Sequence, residues 1–412
     1  VVGEVVPKAK LTNIRPRVAA SYHLSDNLVV RGGYGEFTEN LGYGAFGRLN
    51  STNPFALSET YTNSITGFTV ALSFPKPFPT NPSWTQLPGQ SVTALPATTD
   101  EGVIRQYSAT VEWATRDMGL RASYVGSRGA GMNYSLDVNK PPASATPFTP
   151  ARKPYPQFAS TDVVRTDGQW RYDSVVFGAH RRTGPLTFNT NFTWANNRSS
   201  YANTTDPYNV TKQWTRDAST RRRYWVTSLA WPVPAGKGRR VLSQAGPVMN
   251  RLVSDWSIQA IATFASGQYY SPLFTGPDPA NASQGFVTQL PDCVGDPNAG
   301  ARTLARWFNP GAFAVPPAGA GRYGNCGMNI LEGYPIHVGH VSLAKRLPLG
   351  EFVTAVFTVQ ASNITNTPHF TIPNNNISNP NPGMFTASSL VASSSPERLG
   401  ARQLAFKLRL EW

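Results

Sequence analysis

No stretch of the 412-residue chain approaches 18 consecutive apolar residues, and the longest candidates, such as FVTAVFTVQA (352–361), carry Thr and Gln. A transmembrane helix is therefore excluded. Charge is also scarce, at 15% of residues. There are five histidines and two cysteines, and no HExxH, CxxC or EF-hand spacing. His337 and His340 stand three apart in a segment of strand character, so they face opposite ways and cannot share a metal ion. PAGKGRR (234–240) lacks the spacing and the terminal hydroxyl of a phosphate-binding loop. No G-x-S-x-G occurs, and the 23 acidic residues are scattered, without a pair suited to glycoside hydrolysis. The expectation is a protein without metal, cofactor or catalytic constellation, hence not an enzyme. The net charge of +14 has only two clusters, RRR (221–223) and GKGRR (236–240), and neither sits in a nucleic-acid module. No nucleic-acid partner is expected.

What the chain does have is 35 Gly, 35 Pro and many Asn, Ser and Thr, the composition of an all-β protein with long loops. Eleven segments alternate apolar and polar residues: 15–24, 27–38, 103–114, 118–127, 170–181, 185–196, 223–232, 254–267, 336–346, 352–362 and 401–412. Successive side chains of a strand point to opposite faces, so each segment has one apolar face and one polar face. A mean hydropathy of −0.30 does not argue against a membrane wall, because a barrel strand shows lipid only every second side chain.

The connections are as informative as the strands. Short links at 25–26, 115–117, 183–185, 233–253 and 347–351 alternate with long ones at 39–102, 128–169, 197–222, 268–335 and 363–400. The link 233–253 is the weakest member of the short set. A meander with every second loop long places all long loops on one side, the layout of an antiparallel transmembrane β-barrel with short periplasmic turns and long extracellular loops. A soluble sandwich has no such polarity. Pairing Trp113 with Leu120, Val111 with Ala122 and Ala109 with Tyr124 brings the apolar faces of one hairpin into register, and sets Glu112 opposite Arg121 as an expected rim ion pair. Trp113, Trp194, Trp225, Trp231, Trp256 and Trp412 fall near strand ends, as aromatic girdles would. The last segment, RQLAFKLRLEW (402–412), has Leu404, Phe406, Leu408, Leu410 and Trp412 on one face, the character of a terminal insertion strand ending at the periplasmic interface.

Read in order, IRPRVAASY and NLVVRGGYGEF (14–37), YVGSRGAGM (124–132), KPYPQF (153–158), DPYN (206–209), PAGKGRR (234–240), ARWFNPGAF (305–313), GNCGMNILEGYP (324–335), SNITNTPHF (362–370) and the terminal segment resemble TonB-dependent outer-membrane receptors of the Oar-like group, which carry a carboxypeptidase-regulatory-like domain. The resemblance covers nearly the whole chain. It implies a barrel around an N-terminal plug in a bacterial outer membrane, with ligand capture by extracellular loops and import energised through TonB. Such barrels have about 22 strands. Residues 1–412 are thus expected to form the C-terminal half of one wall, with the plug, the regulatory-like domain and the TonB-contacting segment outside this sequence. VVGEVVPKAKLTN (1–13) shows no signal-peptide pattern, and the sequence is expected to begin in mid-protein. Gly32, Gly33 and Gly35 are expected to permit a bend or close packing against the plug, and GYGAFG (42–47) to be a flexible loop.

Both cysteines, Cys293 and Cys326, fall in the longest exported loop, so a disulfide is expected there, with two free thiols as the alternative. Tyr201, Tyr208, Trp214, Tyr269, Tyr270 and Trp307 lie in the long loops. They are candidates for stacking on a sugar, siderophore-like or peptide ligand; packing of loop on loop is the alternative. Expected partners are outer-membrane lipid and lipopolysaccharide, the TonB complex through the part outside this sequence, and an unidentified ligand. Rival functions are a barrel-anchored structural or adhesive surface protein and a passive porin.

Overall fold

The computed structural model describes residues 14–39, 90–95, 101–300, 302–386 and 401–412. The GYGAFG stretch lies outside them. Eleven strands form one antiparallel meander: β1 (Arg17–Ser25), β2 (Leu28–Glu39), β3 (Gly102–Ala114), β4 (Met118–Asp137), β5 (Phe158–Arg181), β6 (Thr187–Ser199), β7 (Arg223–Pro232), β8 (Trp256–Ala265), β9 (Ile336–Pro348), β10 (Thr354–Ser362) and β11 (Gln403–Glu411). Each pairs with its neighbours in sequence, so spatial order equals chain order. Two short segments join the sheet from the long connections: Gln90–Ala94 runs parallel to β5, and Thr215–Arg216 pairs with the end of β6. Among the described residues, no strand covers the outer edge of β1 or of β11.

All eleven expected strands are present. β4 and β5 are longer than their alternation indicates, reaching Asp137 and starting at Phe158. Their ladder slips register on either side of Met132, and Gly131 adopts φ +74°. These bulges break the two-residue period, so the upper half of the hairpin reads as loop in the sequence.

Register explains why one face is apolar throughout. Tyr22 faces Val30, which faces Val111, then Ala122, Phe177, Phe192, Trp225 and Phe264 on successive strands. A second row runs through Phe188, Leu229, Ala260, Val341, Ala361 and Leu404. The face is open: Phe177 is 53% exposed and Leu408 69%. A contiguous apolar surface of this extent marks a surface made for lipid or a partner rather than for water. Trp113, Trp231, Trp256 and Trp412 mark its short-turn end, and Trp194 and Trp225 its long-loop end.

The opposite face is polar. Thr110 donates to Ser123 Oγ at 2.9 Å, and Arg346 reaches Glu411 at 2.6 Å. A hollow of about 530 Å³ opens there, lined in part by Asn189, Ser228, Gln259, His340 and Gln360. Glu112 lies opposite Arg121 as the register requires, but its ion pair is with Arg31 at 3.2 Å. Arg121 turns the other way and donates to Asn191 Oδ1 at 3.2 Å. Gly178 stands between Arg121 and Asn191 in the register, and a Cβ there would lie 3.0 Å from Asn191 Oδ1. The glycine leaves a notch through which Arg121 reaches across a whole strand. His337 and His340 do fall on opposite faces, His337 beside Phe264 and His340 in the polar hollow.

The two faces should differ in how much an added charge costs. Phe406→Arg on the apolar face should cost about 2–4 kcal/mol of stability in bilayers, the magnitude for a cation near the midplane. Ser228→Arg on the polar face should cost under about 1 kcal/mol. Urea titration of the refolded protein in lipid vesicles measures both.

Candidate ligand-binding loop module

The larger buried core lies above the sheet, and a small cluster of Ala265, Ile336 and Val338 sits at the long-loop end of the sheet itself. The connection 266–335 folds on itself through three small ladders: Tyr269–Tyr270 with Leu331–Glu332, Phe274–Pro277 with Phe286–Gln289, and Asp292–Cys293 with Phe313–Ala314. Between them sit Tyr270, Leu290, Phe308, Ala312, Phe313, Cys326 and Leu331, all buried. Short ladders alone are marginal in water, so this packing is what holds them.

Three other long connections dock on this unit. From 363–386, Leu273 and Asn375 share a backbone hydrogen bond at 2.9 Å, and Phe385 packs edge-on against Trp307 at 5.3 Å. From 138–157, Ser144 N donates to Ala280 O at 3.0 Å and Arg152 Nη1 to Asn281 O at 2.9 Å. From 200–222, Arg216 O accepts from Asn329 Nδ2 at 2.6 Å. Four connections at the long-loop end therefore make one module.

Polar residues set its turns. Asn139 is buried and holds its loop by donating to Tyr155 O and Phe158 O at 3.0 and 2.9 Å. Asn363 is fully buried, donating to Thr367 O at 2.9 Å and accepting from Thr367 N at 3.2 Å. Asp206 accepts from Tyr208 N at 3.0 Å and Asn209 Nδ2 at 2.7 Å. Cys293 and Cys326 are joined in a disulfide, with Cα atoms 5.0 Å apart. Beside it Arg322 grips Asp292 with two hydrogen bonds of 2.7 Å, and Asn325 N adds a third at 3.1 Å. The Arg322 hydrogen bonds hold the Asp292 carboxyl below the usual carboxylate range.

The six aromatic candidates separate. Tyr270 is 4% exposed and Tyr269 6%, so both are core, and burial raises the Tyr270 phenol above its ordinary pKa. Trp307 is half-buried, donates to Glu332 O at 2.8 Å and packs at a tilt against Tyr334 at 5.3 Å. These three pack loop on loop. Tyr201 stacks on Tyr134 at 5.7 Å, with its pKa raised by burial. Tyr208 is 51% exposed, its hydroxyl donating to Lys140 O at 3.0 Å. Trp214 lies 4.2 Å under the Arg171 guanidinium. Tyr208 keeps exposed ring surface, Trp214 is half-buried under Arg171, and the stack on Tyr134 ties Tyr201 down.

A cavity of about 340 Å³ opens below the module, between Tyr124, Asp173, Trp194, Arg198, Arg216, Arg222 and Tyr269. Arg216 lies 4.9 Å from the Tyr269 ring and Arg222 6.0 Å from Trp194. In the sequence RRR (221–223) shows only as charge; its place above a strand aromatic follows from the fold. Among the described residues no group of three His, Cys, Asp or Glu could hold a metal ion.

Residues 3–404 match the family model of the outer membrane beta barrel domain. The chain belongs to that family. Its place is the outer membrane, and the apolar face of the sheet is the wall that meets lipid. Solved structures similar to it include the iron transporter FrpB of Neisseria meningitidis, at 10% identity and TM-score 0.45, covering 97% of this chain and 39% of that one. The outer membrane transporter YddB of Escherichia coli is similar at 8% identity and TM-score 0.48, covering 97% and 40%. The ferric enterobactin receptor PfeA of Pseudomonas aeruginosa is similar at 10% identity and TM-score 0.46, covering 96% and 40%. The chain spans about two fifths of the length of these proteins. No curated protein matches it.

Two outcomes are expected for the module. Cys293→Ser should loosen it by about 3–4 kcal/mol, the loop-closure value for a bridge of this span, seen as faster proteolysis within 266–335 while the strands stay protected. The Asp292–Arg322 pair contributes fully above the unfolded carboxylate pKa of about 3.9. Because the folded pKa is depressed, that contribution is lost as pH falls through it. Pepsin cleavage of the module should therefore rise on acidification below pH about 4 in the wild type, and Arg322→Gln should abolish that step.

Proposed function

We propose that this chain is the C-terminal part of the wall of an Oar-like TonB-dependent receptor, which captures its ligand with the long loops and imports it by energised transport rather than by catalysis. The observation that carries this reading is the loop module: four connections from one end of a lipid-facing wall, built into one ordered unit over a polar inner face. That end faces the cell exterior, where the Cys293–Cys326 disulfide persists. Tyr208, Trp214 and Arg171 are the groups offered to a ligand.

The edges of β1 and β11 support the larger wall. An unpaired strand edge exposes N–H and C=O groups that hydrocarbon cannot satisfy. Further strands of the same polypeptide close the barrel to about 22 around a plug, and the TonB contact lies with that plug. Lipopolysaccharide surrounds the upper wall. A barrel that only displays an adhesive module would share the loop architecture, and a porin would share the wall.

Two measurements separate these functions. The denatured mass of the polypeptide purified from outer membranes should be about twice this chain or more, as a barrel of about 22 strands demands; a mass equal to these 412 residues would remove the import mechanism. In planar bilayers the intact protein should show no steady conductance, because a plug fills it. Steady open conductance would favour a porin. A plugged barrel whose ligand uptake does not depend on TonB would favour the adhesive function.

A further inference from the structure

The short-turn end has one connection that is not short. Between β7 and β8 the chain runs through the PAGKGRR segment into a seven-residue helix, Pro247–Val253. Neither the wall nor the loop module uses it. It is a built feature: Asn250 Oδ1 accepts from Lys237 N at 2.6 Å, which ties the helix to the basic segment. Gly236, at φ +114°, allows this, since a Cβ there would stand 2.7 Å from Asn250 Oδ1. Arg251 donates to Pro348 O at 3.4 Å, joining the helix to the next short turn.

Its surface is unusual for a turn in water. Val248 is 77% exposed, Leu252 63%, and Phe352 of the neighbouring turn 83%. Residues 233–254 carry Lys237, Arg239, Arg240 and Arg251 and no Asp or Glu; the nearest acids are Asp255 and Glu351 at the margins. This apolar patch continues into the lipid-facing wall, because Trp256 Nε1 donates to Leu252 O at 2.8 Å and Trp256 opens the apolar face of β8. Lys345, beside Trp256 on that face, bends its ammonium back to Ser254 O, as a cation near a lipid interface does.

We infer that residues 233–255, with the tip of the 349–353 turn, form an interfacial foot that seats in the periplasmic leaflet and binds anionic phospholipid headgroups. The inference rests on the wall being in a membrane with its short turns on the periplasmic side. The apolar side chains enter the headgroup boundary, and the cations meet the lipid phosphates. Continuity with the wall selects lipid over a protein partner, and four cations against the two marginal acids, Asp255 and Glu351, select anionic over neutral lipid.

The test uses the intact protein with Val248→Cys carrying a fluorophore, the two native cysteines being bonded to each other. Vesicles contain brominated phosphatidylglycerol or, in parallel, brominated phosphatidylcholine at equal fraction. The label should be quenched more strongly by the phosphatidylglycerol. Each of Lys237→Gln, Arg239→Gln and Arg240→Gln should lower that preference about fivefold, the weight of one cation at an anionic surface. A second label at Leu408→Cys reports the wall and should be quenched equally by both lipids. Quenching at 408 with none at 248, or equal quenching at 248 by both lipids, would overturn the foot alone. No quenching at 408 would overturn the membrane wall, and the foot with it. Inorganic phosphate that abolishes the lipid preference at millimolar concentration would show a free-anion site instead.

Discussion

Backbone hydrogen bonding governs this molecule. In hydrocarbon each N–H and C=O must find a protein partner, and only helices and closed sheets provide one. Here the eleven-strand antiparallel meander carries the wall. Pairing each strand with its sequence neighbour satisfies the groups with the shortest connections. Register is then set by the faces, because a one-residue slip would turn every apolar side chain inward. Among the described residues, the outer edges of β1 and β11 are where this requirement is not met by a neighbouring strand.

A wall one strand thick has no interior of its own. Its apolar side chains meet lipid, and its polar ones meet each other across the inner face. Arg121 passes Gly178 to reach Asn191, while Glu112 takes Arg31. The register alone puts Glu112 opposite Arg121, but the long arginine goes where space is open, and the glycine two strands from Glu112 provides that space. Burial moves to the loops. There 266–335 builds the larger core, closed by the disulfide and the Asp292–Arg322 pair.

The family motifs acquire a physical meaning in this arrangement. ARWFNPGAF supplies Trp307, Phe308, Ala312 and Phe313 to the module, with Asn309 Oδ1 accepting from Gly311 N at its turn. GNCGMNILEGYP supplies Cys326, Asn329 and Leu331, and SNITNTPHF the Asn363 turn. These motifs are loop skeleton rather than contact surface. Ring-bearing residues within or packed against them, such as Trp307 and Tyr270, turn inward, whereas Tyr208, in the DPYN motif, stays exposed. An aromatic in a long loop looks the same on paper in either case. Only the partners that other loops bring decide it.

Strand number, order and face were legible because each strand's environment is local: lipid on one side, polar groups on the other, alternating every residue. Where a bulge broke the period, as at Gly131, the upper ends of β4 and β5 disappeared from the pattern. The bond between Cys293 and Cys326 was legible because both lie in one loop. The docking of four loops into one module, the choice of Arg31 over Arg121 and the fusion of the basic segment with a helix under Trp256 were not. Each depends on groups far apart in the chain meeting at a few ångströms, and alternation carries no information about that. Alternation along the chain was enough for a two-faced antiparallel wall with all long loops at one end; which loop residues became core and which stayed exposed came from long-range packing, because burial is a property of neighbours that sequence order does not supply.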